Sequence, residues 1–211
     1  NKDMSEWDKL RLEVTNCTKC DLHKERRQAV LGEGPLVAEI MLIGEAPGAQ
    51  EDLEGRPFVG AAGKLLNKML EEAGLRRSDI YITNIVKCRP PGNREPMPDE
   101  EKACLPYLIR QIALVKPRLI ITMGKHSTKA LLHMSGVKIN SISSVRGKPH
   151  NIRIGAIEAM VIPTYHPAAA IYNPSLRQTI VNELRQASKL VKGRTHSIMD
   201  FIEDKEHRWG Q

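Results

Sequence analysis

Apolar residues in this chain fall into short unbroken runs separated by helical patterns. "AEIMLIG" (38–44), "DIYITNIVKC" (79–88), "RLIITMG" (118–124) and "AMVIPTYHP" (159–167) read as strands buried on both faces. Between them lie helices. Residues 5–15 place Trp7, Leu10 and Val14 on one face, with Ser5 as the cap. Residues 61–75 repeat Leu65, Leu66, Met69 and Leu70 and stop at Gly74. Residues 97–115 carry acids in the first turn, 125–134 begin at a strand's end, and 174–191 form the last helix. The stretch 136–159 reads as loop or hairpin, and the tail after Lys192 as polar. Strands alternating with helices predict an α/β fold with a parallel sheet covered on both faces.

In open sheets of this kind, ligands bind beyond the carboxyl ends of the strands. Three notable stretches fall there: "GEAPG" after the first strand, "TNIVKC" on the second and "YHP" after the fourth. Gly44 and Gly48 permit close backbone approach to a ligand. The loop lacks the lysine of a phosphate-binding loop, and Glu45 and Glu51 would repel phosphate, so a pocket for a neutral polar group fits better. The plainer reading is a generic strand–helix turn. Asn84 offers a donor and an acceptor that match a pyrimidine edge, or it satisfies nearby backbone. His166, fixed by a following proline, is a candidate acid or hydrogen-bond donor. Phe58, one of two Phe, is either core or a flat face for a base.

The chain has 211 residues, 41% hydrophobic and 27% charged, as expected of a globular protein. No run approaches a membrane span and no secretory signal is visible, which leads to the expectation of a cytoplasmic protein with no membrane contact. The net charge of +7 favours a polyanionic partner or a lysine-rich solvated surface. Cys17 and Cys20 form C-x-x-C, while Cys88 and Cys104 lie far away. In an intracellular chain this set suggests a metal site over disulfides or a redox pair, and spacing alone leaves zinc and iron–sulfur both open.

Taken together, "GEAPGAQEDLEGRPFVG", "TNIVKCRPPGNREP", "PTYHPAA" and the four cysteines resemble the family 4, iron–sulfur uracil-DNA glycosylases, from Cys17 to about Arg185. The resemblance implies a three-layer α/β/α sandwich with a central four-stranded parallel sheet, as one glycosylase domain over 1–192 with a tail over 193–211. It implies a [4Fe–4S] cluster on Cys17, Cys20, Cys88 and Cys104. The implied reaction is hydrolysis of the N-glycosidic bond of deoxyuridine in single- or double-stranded DNA, with the base flipped out. Gly44, Glu45, Ala46, Glu51, Phe58, Asn84 and His166 would bind uracil. His166, Asn84 and Glu45 would be catalytic, with Glu45 the candidate water activator. Many uracil glycosylases carry Asp where this chain has Ala46, and many relatives carry a basic residue at Ala61. "HPAAAIYNPSLR" resembles a minor-groove wedge, with Ile171 or Tyr172 as wedge and Arg177 on phosphate. Lys125, His126 and Ser127 start a helix suited to phosphate. A monomer is expected. No sliding-clamp motif is visible near Trp209, and the insertion of covalently trapping relatives is absent. The competing class is a non-catalytic, zinc-stabilised nucleic-acid binding module.

Overall fold

The computed structural model describes residues 4–209, with side chains described for residues 4–192. Five strands form one sheet: β1 (Ile40–Gly44), β2 (Tyr81–Asn84), β3 (Leu119–Met123), β4 (His150–Ile154) and β5 (Ile157–Thr164). Their order is β2-β1-β3-β5-β4. The first four in that order are parallel, and β4 pairs antiparallel with β5 at the edge. The expected four-stranded parallel sheet is therefore corrected to a five-stranded mixed one. The added strand escaped the sequence pattern because "HNIRI" buries only alternate residues, as an edge strand does. It is the first arm of the hairpin already admissible within 136–159.

The inner strands alternate their apolar side chains between two cores. Ile40, Leu42, Ile82, Leu119 and Ile121 face one side. There they meet Leu66, Met69 and Leu70 of α3 (Ala61–Glu72) and Ile180, Val181 and Leu184 of α7 (Leu176–Trp209). Met41, Ile43, Tyr81 and Ile120 face the other. These meet Leu108, Ile112 and Val115 of α4 (Pro98–Val115) and Leu131 and Leu132 of α5 (Lys125–Met134). Each such fully buried side chain contributes roughly 1.5–3 kcal/mol. α1 (Glu6–Thr15) packs on α4, capped by Ser5 as expected: its Oγ accepts from the Asp8 amide at 3.1 Å.

Two short helices were not apparent from the sequence: α2 (Ala49–Glu54) and α6 (Pro167–Tyr172). Six residues carry too few turns for a periodic pattern. β5 ends at Thr164, so His166 is the N-cap of α6 rather than a strand residue. α7 continues beyond the predicted end at 191, through the segment read as a tail. The side chain of Trp209, at the site of the clamp question, lies outside the described residues.

Parallel pairing aligns the strand ends that matter. Gly44 stands beside Asn84 across β1–β2, and Met123 beside Thr164 across β3–β5. β1 lies between β2 and β3, so the chain leaves it in opposite directions and opens a crevice there.

Gly63, buried in the first turns of α3, packs directly under the loop bearing Phe58. A Cβ there would stand 2.0 Å from the Phe58 carbonyl oxygen. Gly63→Ala is expected to lower stability by about 1–3 kcal/mol, because neither backbone can retreat. An unchanged denaturant midpoint would contradict this packing.

Candidate active site

A cleft of about 380 Å³ opens at the carboxyl end of the sheet. Glu45, Ala46, Glu51, Phe58, Asn84 and His166 all line it. Gly44 lies against two of these lining residues: a Cβ there would meet Asn84 Oδ1 and Phe58 Cζ, each at 2.5 Å. All seven residues expected to bind the base are thus brought together from four separate stretches of chain.

Phe58 is buried and has φ of 49°, a left-handed conformation that costs a bulky residue energy. The surrounding bonds account for it. Arg77 donates from Nη1 to the Phe58 carbonyl at 2.7 Å and from Nη2 to the Pro57 carbonyl at 2.6 Å. The Glu51 carboxylate accepts from the amides of Gly48 (2.9 Å), Val59 (2.9 Å) and Gly60 (2.7 Å). Glu51 therefore ties both ends of the loop that presents the ring. Arg77 was not singled out in the sequence, where it is one of 32 basic residues without a motif.

The Phe58 and His166 rings lie 5.7 Å apart between centroids, tilted by 32°. Burial pushes the His166 pKa down to about 4, with Glu51 opposing the shift, so the imidazole is neutral at pH 7. Its Nδ1 accepts from the Ala168 amide at 3.1 Å, so the ring proton resides on Nε2. Asn84 is 2% exposed, and its Oδ1 is buried with no partner in the protein. A buried acceptor left unpaired is costly unless a ligand supplies the donor.

Glu45 stands at the rim. Burial raises its pKa, opposed by His126, whose Nε2 lies 3.4 Å from Glu45 Oε1. His126 also contacts Glu101 through Nδ1 at 2.7 Å and Glu95 at 3.6 Å. The Glu101 bond chiefly raises its pKa, which favours imidazolium. Of the residues expected to hold phosphate, His126 is thus engaged by three carboxylates. The Ser127 hydroxyl donates to the Met123 carbonyl at 3.0 Å. Lys125 is exposed. Arg177 pairs with Glu72. The wedge candidates differ: Tyr172 is 89% exposed and lines the cleft, and Ile171 is 46% exposed. Asn93 and Arg94 line the same cleft from the proline-rich loop after β2.

Cys17, Cys20, Cys88 and Cys104 line one cavity, with Lys87 and Tyr107. None forms a disulfide. Arg26 Nη1 donates to Cys88 Sγ at 3.2 Å, and the Lys19 amide to Cys17 Sγ at 3.5 Å. Val86, Ala46 and Leu22 pack around the thiols, so the cysteine cavity adjoins the cleft through Ala46.

Residues 31–187 match the family described as the Uracil DNA glycosylase superfamily. The type-4 uracil-DNA glycosylase of Sulfurisphaera tokodaii is 48% identical over 208 residues, covering 98% of this chain and 94% of the relative. That of Saccharolobus solfataricus is 48% identical over 200 residues (94% and 93%), and that of Pyrobaculum aerophilum 50% over 176 (83% and 90%). The chain belongs to the type-4 uracil-DNA glycosylases. Its activity is that of a uracil-DNA glycosylase, a hydrolase of base excision repair. The competing reading as a non-catalytic binding module is thereby set aside. Among the described residues, no helix is long and apolar enough to cross a membrane.

The half-buried His166 also sets a pH dependence. Its folded pKa lies below the ordinary value of 6.5, so the unfolded chain binds the proton first as pH falls. The stability held above pH 6.5 is lost progressively down to about pH 4. The loss attributable to this ring is roughly 2–3 kcal/mol. Subtracting the denaturation profile of His166→Gln isolates this slope from the carboxylates. A variant profile parallel to wild type between pH 7 and 4 would refute the burial argument.

Proposed function

We propose that the cleft binds a uracil flipped out of DNA, and that the uncommitted polar atoms of Asn84 and His166 read and activate it. The unpartnered Asn84 Oδ1 carries this reading. It is a buried acceptor awaiting a donor, and uracil N3–H, flanked by carbonyls, supplies one. The Asn84 amide group then donates to the neighbouring carbonyl. Cytosine presents the reverse pattern, an acceptor at N3 beside an amino group, and would leave both groups mispaired. Phe58 stacks on the base. Gly44, Glu45 and Ala46 form the wall, and Glu51, held rigid by three amides, is the group set against C5, where thymine carries its methyl.

As the bond between C1′ and N1 breaks, negative charge spreads over the departing base and positive charge over the sugar. The neutral His166 donates from Nε2 to a uracil carbonyl oxygen and stabilises that anion. A neutral donor suits this task, because it needs no proton from solvent and its low pKa keeps it in one state across physiological pH. Water adds to C1′ and leaves an abasic site. Ala46 supplies no carboxylate to activate that water, so Glu45, at the rim, is the acid–base candidate. On the DNA side, Tyr172 or Ile171 is the wedge. Lys125, His126, Ser127 and Arg177 are the proposed phosphate-facing set, with the α5 amides the main donors, since the Ser127 and Arg177 side chains have partners within the chain.

The four thiols fit a [4Fe–4S] cluster. A single zinc ion, at about 2.3 Å per bond, draws its thiolates to about 3.8 Å of one another. Here no three of the sulfurs lie within 4.8 Å of one another, although all four line one cavity. That wider spacing suits several iron atoms. When bound, the group supplies a cross-link between the N-terminal loop, the end of β2 and α4. The glycosylase unit is proposed as one three-layer α/β/α domain over 1–192, acting as a monomer in the cytoplasm.

His166→Ala and Asn84→Ala are each expected to lower single-turnover uracil release by about 100- to 1000-fold while the far-ultraviolet spectrum is retained. Near-wild-type rates in both would sink the assigned roles. Freshly purified protein should be brown with broad visible absorbance, and Cys88→Ser should lose it. A colourless, zinc-loaded protein would overturn the cluster assignment.

A further inference from the structure

His126 stands in the first turn of α5, and carboxylates meet its ring at both nitrogens. Nδ1 lies 2.7 Å from Glu101 Oε1 on α4, and Nε2 lies 3.4 Å from Glu45 Oε1 in the loop after β1. Glu95 is 3.6 Å from the same Nε2, but its side chain is 79% exposed, so water screens it. An ionised carboxylate only accepts hydrogen bonds. A ring with a carboxylate at each nitrogen is therefore favoured with a hydrogen on both. His126 is the imidazolium, in keeping with the upward pull of Glu101 on its pKa. Glu101 makes the shorter contact and belongs to a long helix, so it sets the angle at which the ring meets Glu45.

Glu45 is under two opposing demands. It lines the cleft half-buried, where desolvation disfavours its charge. To take a proton from water it has to be the anion. Glu95 and Glu101 are acids and act on it in the same sense as burial, whereas His126 acts against burial. Other cations nearby are engaged or solvated. Lys125 and Lys129 on α5 are exposed, and Arg94, on the loop before α4, donates to both oxygens of Glu100 at 2.7 and 2.9 Å.

We propose that His126 is a positioning residue for Glu45: braced from behind by Glu101, its imidazolium holds the Glu45 carboxylate as the anion at the cleft wall, where it receives a proton from the attacking water. In the step it serves, the water oxygen bonds to C1′ as the bond between C1′ and N1 breaks. The bonding pair leaves with uracil, and one water proton passes to Glu45. The inference deepens the acid–base role proposed for Glu45 and rests on it. The His126 ring thus serves the cleft, and the α5 amides remain for phosphate. Imidazole suits the position because its two nitrogens point in different directions on one rigid ring, linking a carboxylate on α4 to one beside the base.

The test is the pH profile of single-turnover uracil release, with saturating enzyme, from about pH 5 to 9, above the range in which His166 charges. Wild type should lose rate on the acid side as Glu45 takes up a proton. His126→Gln keeps an amide donor but no charge. Glu45 then protonates at higher pH, and the acid limb should move up by about one pH unit. Its rate should fall about tenfold below the limb and stay within about threefold of wild type on the alkaline plateau. Glu101→Gln, altered outside the cleft lining, should move the limb the same way by less. Limbs at the wild-type position in both variants overturn the proposal. So does a uniform loss at every pH, the mark of a merely structural role, or a loss of DNA affinity alone, the mark of a phosphate contact. A limb that moves in His126→Gln but not in Glu101→Gln overturns the bracing by Glu101. Glu45→Gln should lose about 100-fold or more and show no limb. A wild-type profile without an acid limb, or a Glu45→Gln rate near wild type, defeats the acid–base reading of Glu45 itself, an outcome distinct from the others.

Discussion

The site depends on one close approach. β1 ends on Gly44, and the absence of a side chain there lets the Phe58 ring and the Asn84 amide occupy the same small volume above the sheet. Any Cβ at that position would displace one or the other. The Gly44–Asn84 register sets the amide, and Glu51 and Arg77 set the ring from the opposite side. The strained backbone at Phe58 is the cost of this arrangement, and two charged side chains bonded to its loop hold it there.

Around that approach, polar groups are sorted by whether they have partners. Thr83, Gln111 and Lys87 are fully buried and bonded to one another behind the strand end. On the cleft side, Asn84 Oδ1 is buried without a partner and the His166 ring is bonded to the chain only through Nδ1. In a low-dielectric cleft such free groups act more strongly than they would in water. Preorganisation here is the product of a rigid, satisfied polar layer beneath an unsatisfied one. The cysteine cavity lies against the same strand end, so whatever stiffens it also stiffens the layer that carries Asn84.

Charge is arranged differently at the rim. His126 sits among Glu45, Glu95 and Glu101, so the helix start that resembled a phosphate site in the sequence also carries an acid-bound histidine. Arg177 is likewise held by Glu72. Side chains that read as free cations in a linear sequence acquire partners from segments 25 to 105 residues away.

Much of the fold was legible along the chain, because buried parallel strands are continuous apolar runs and long amphipathic helices repeat over several turns. The four parallel strands and the helices over 61–75, 97–115 and 125–134 emerged from that pattern with boundaries off by a few residues. The edge strand β4 and the six-residue helices α2 and α6 did not, since two alternating apolar residues in β4 and a turn and a half in each helix are too short to establish a period. The residues of the cleft were legible as candidates because glycine, asparagine and histidine at strand ends are unusual. What only the tertiary structure decided was which of their atoms are free. The tautomer of His166, the orphaned oxygen of Asn84, the role of Arg77 and the burial of Lys87 all depend on partners distant in sequence. A hydrogen bond between such partners is a property of distances in space, to which residue order gives no access.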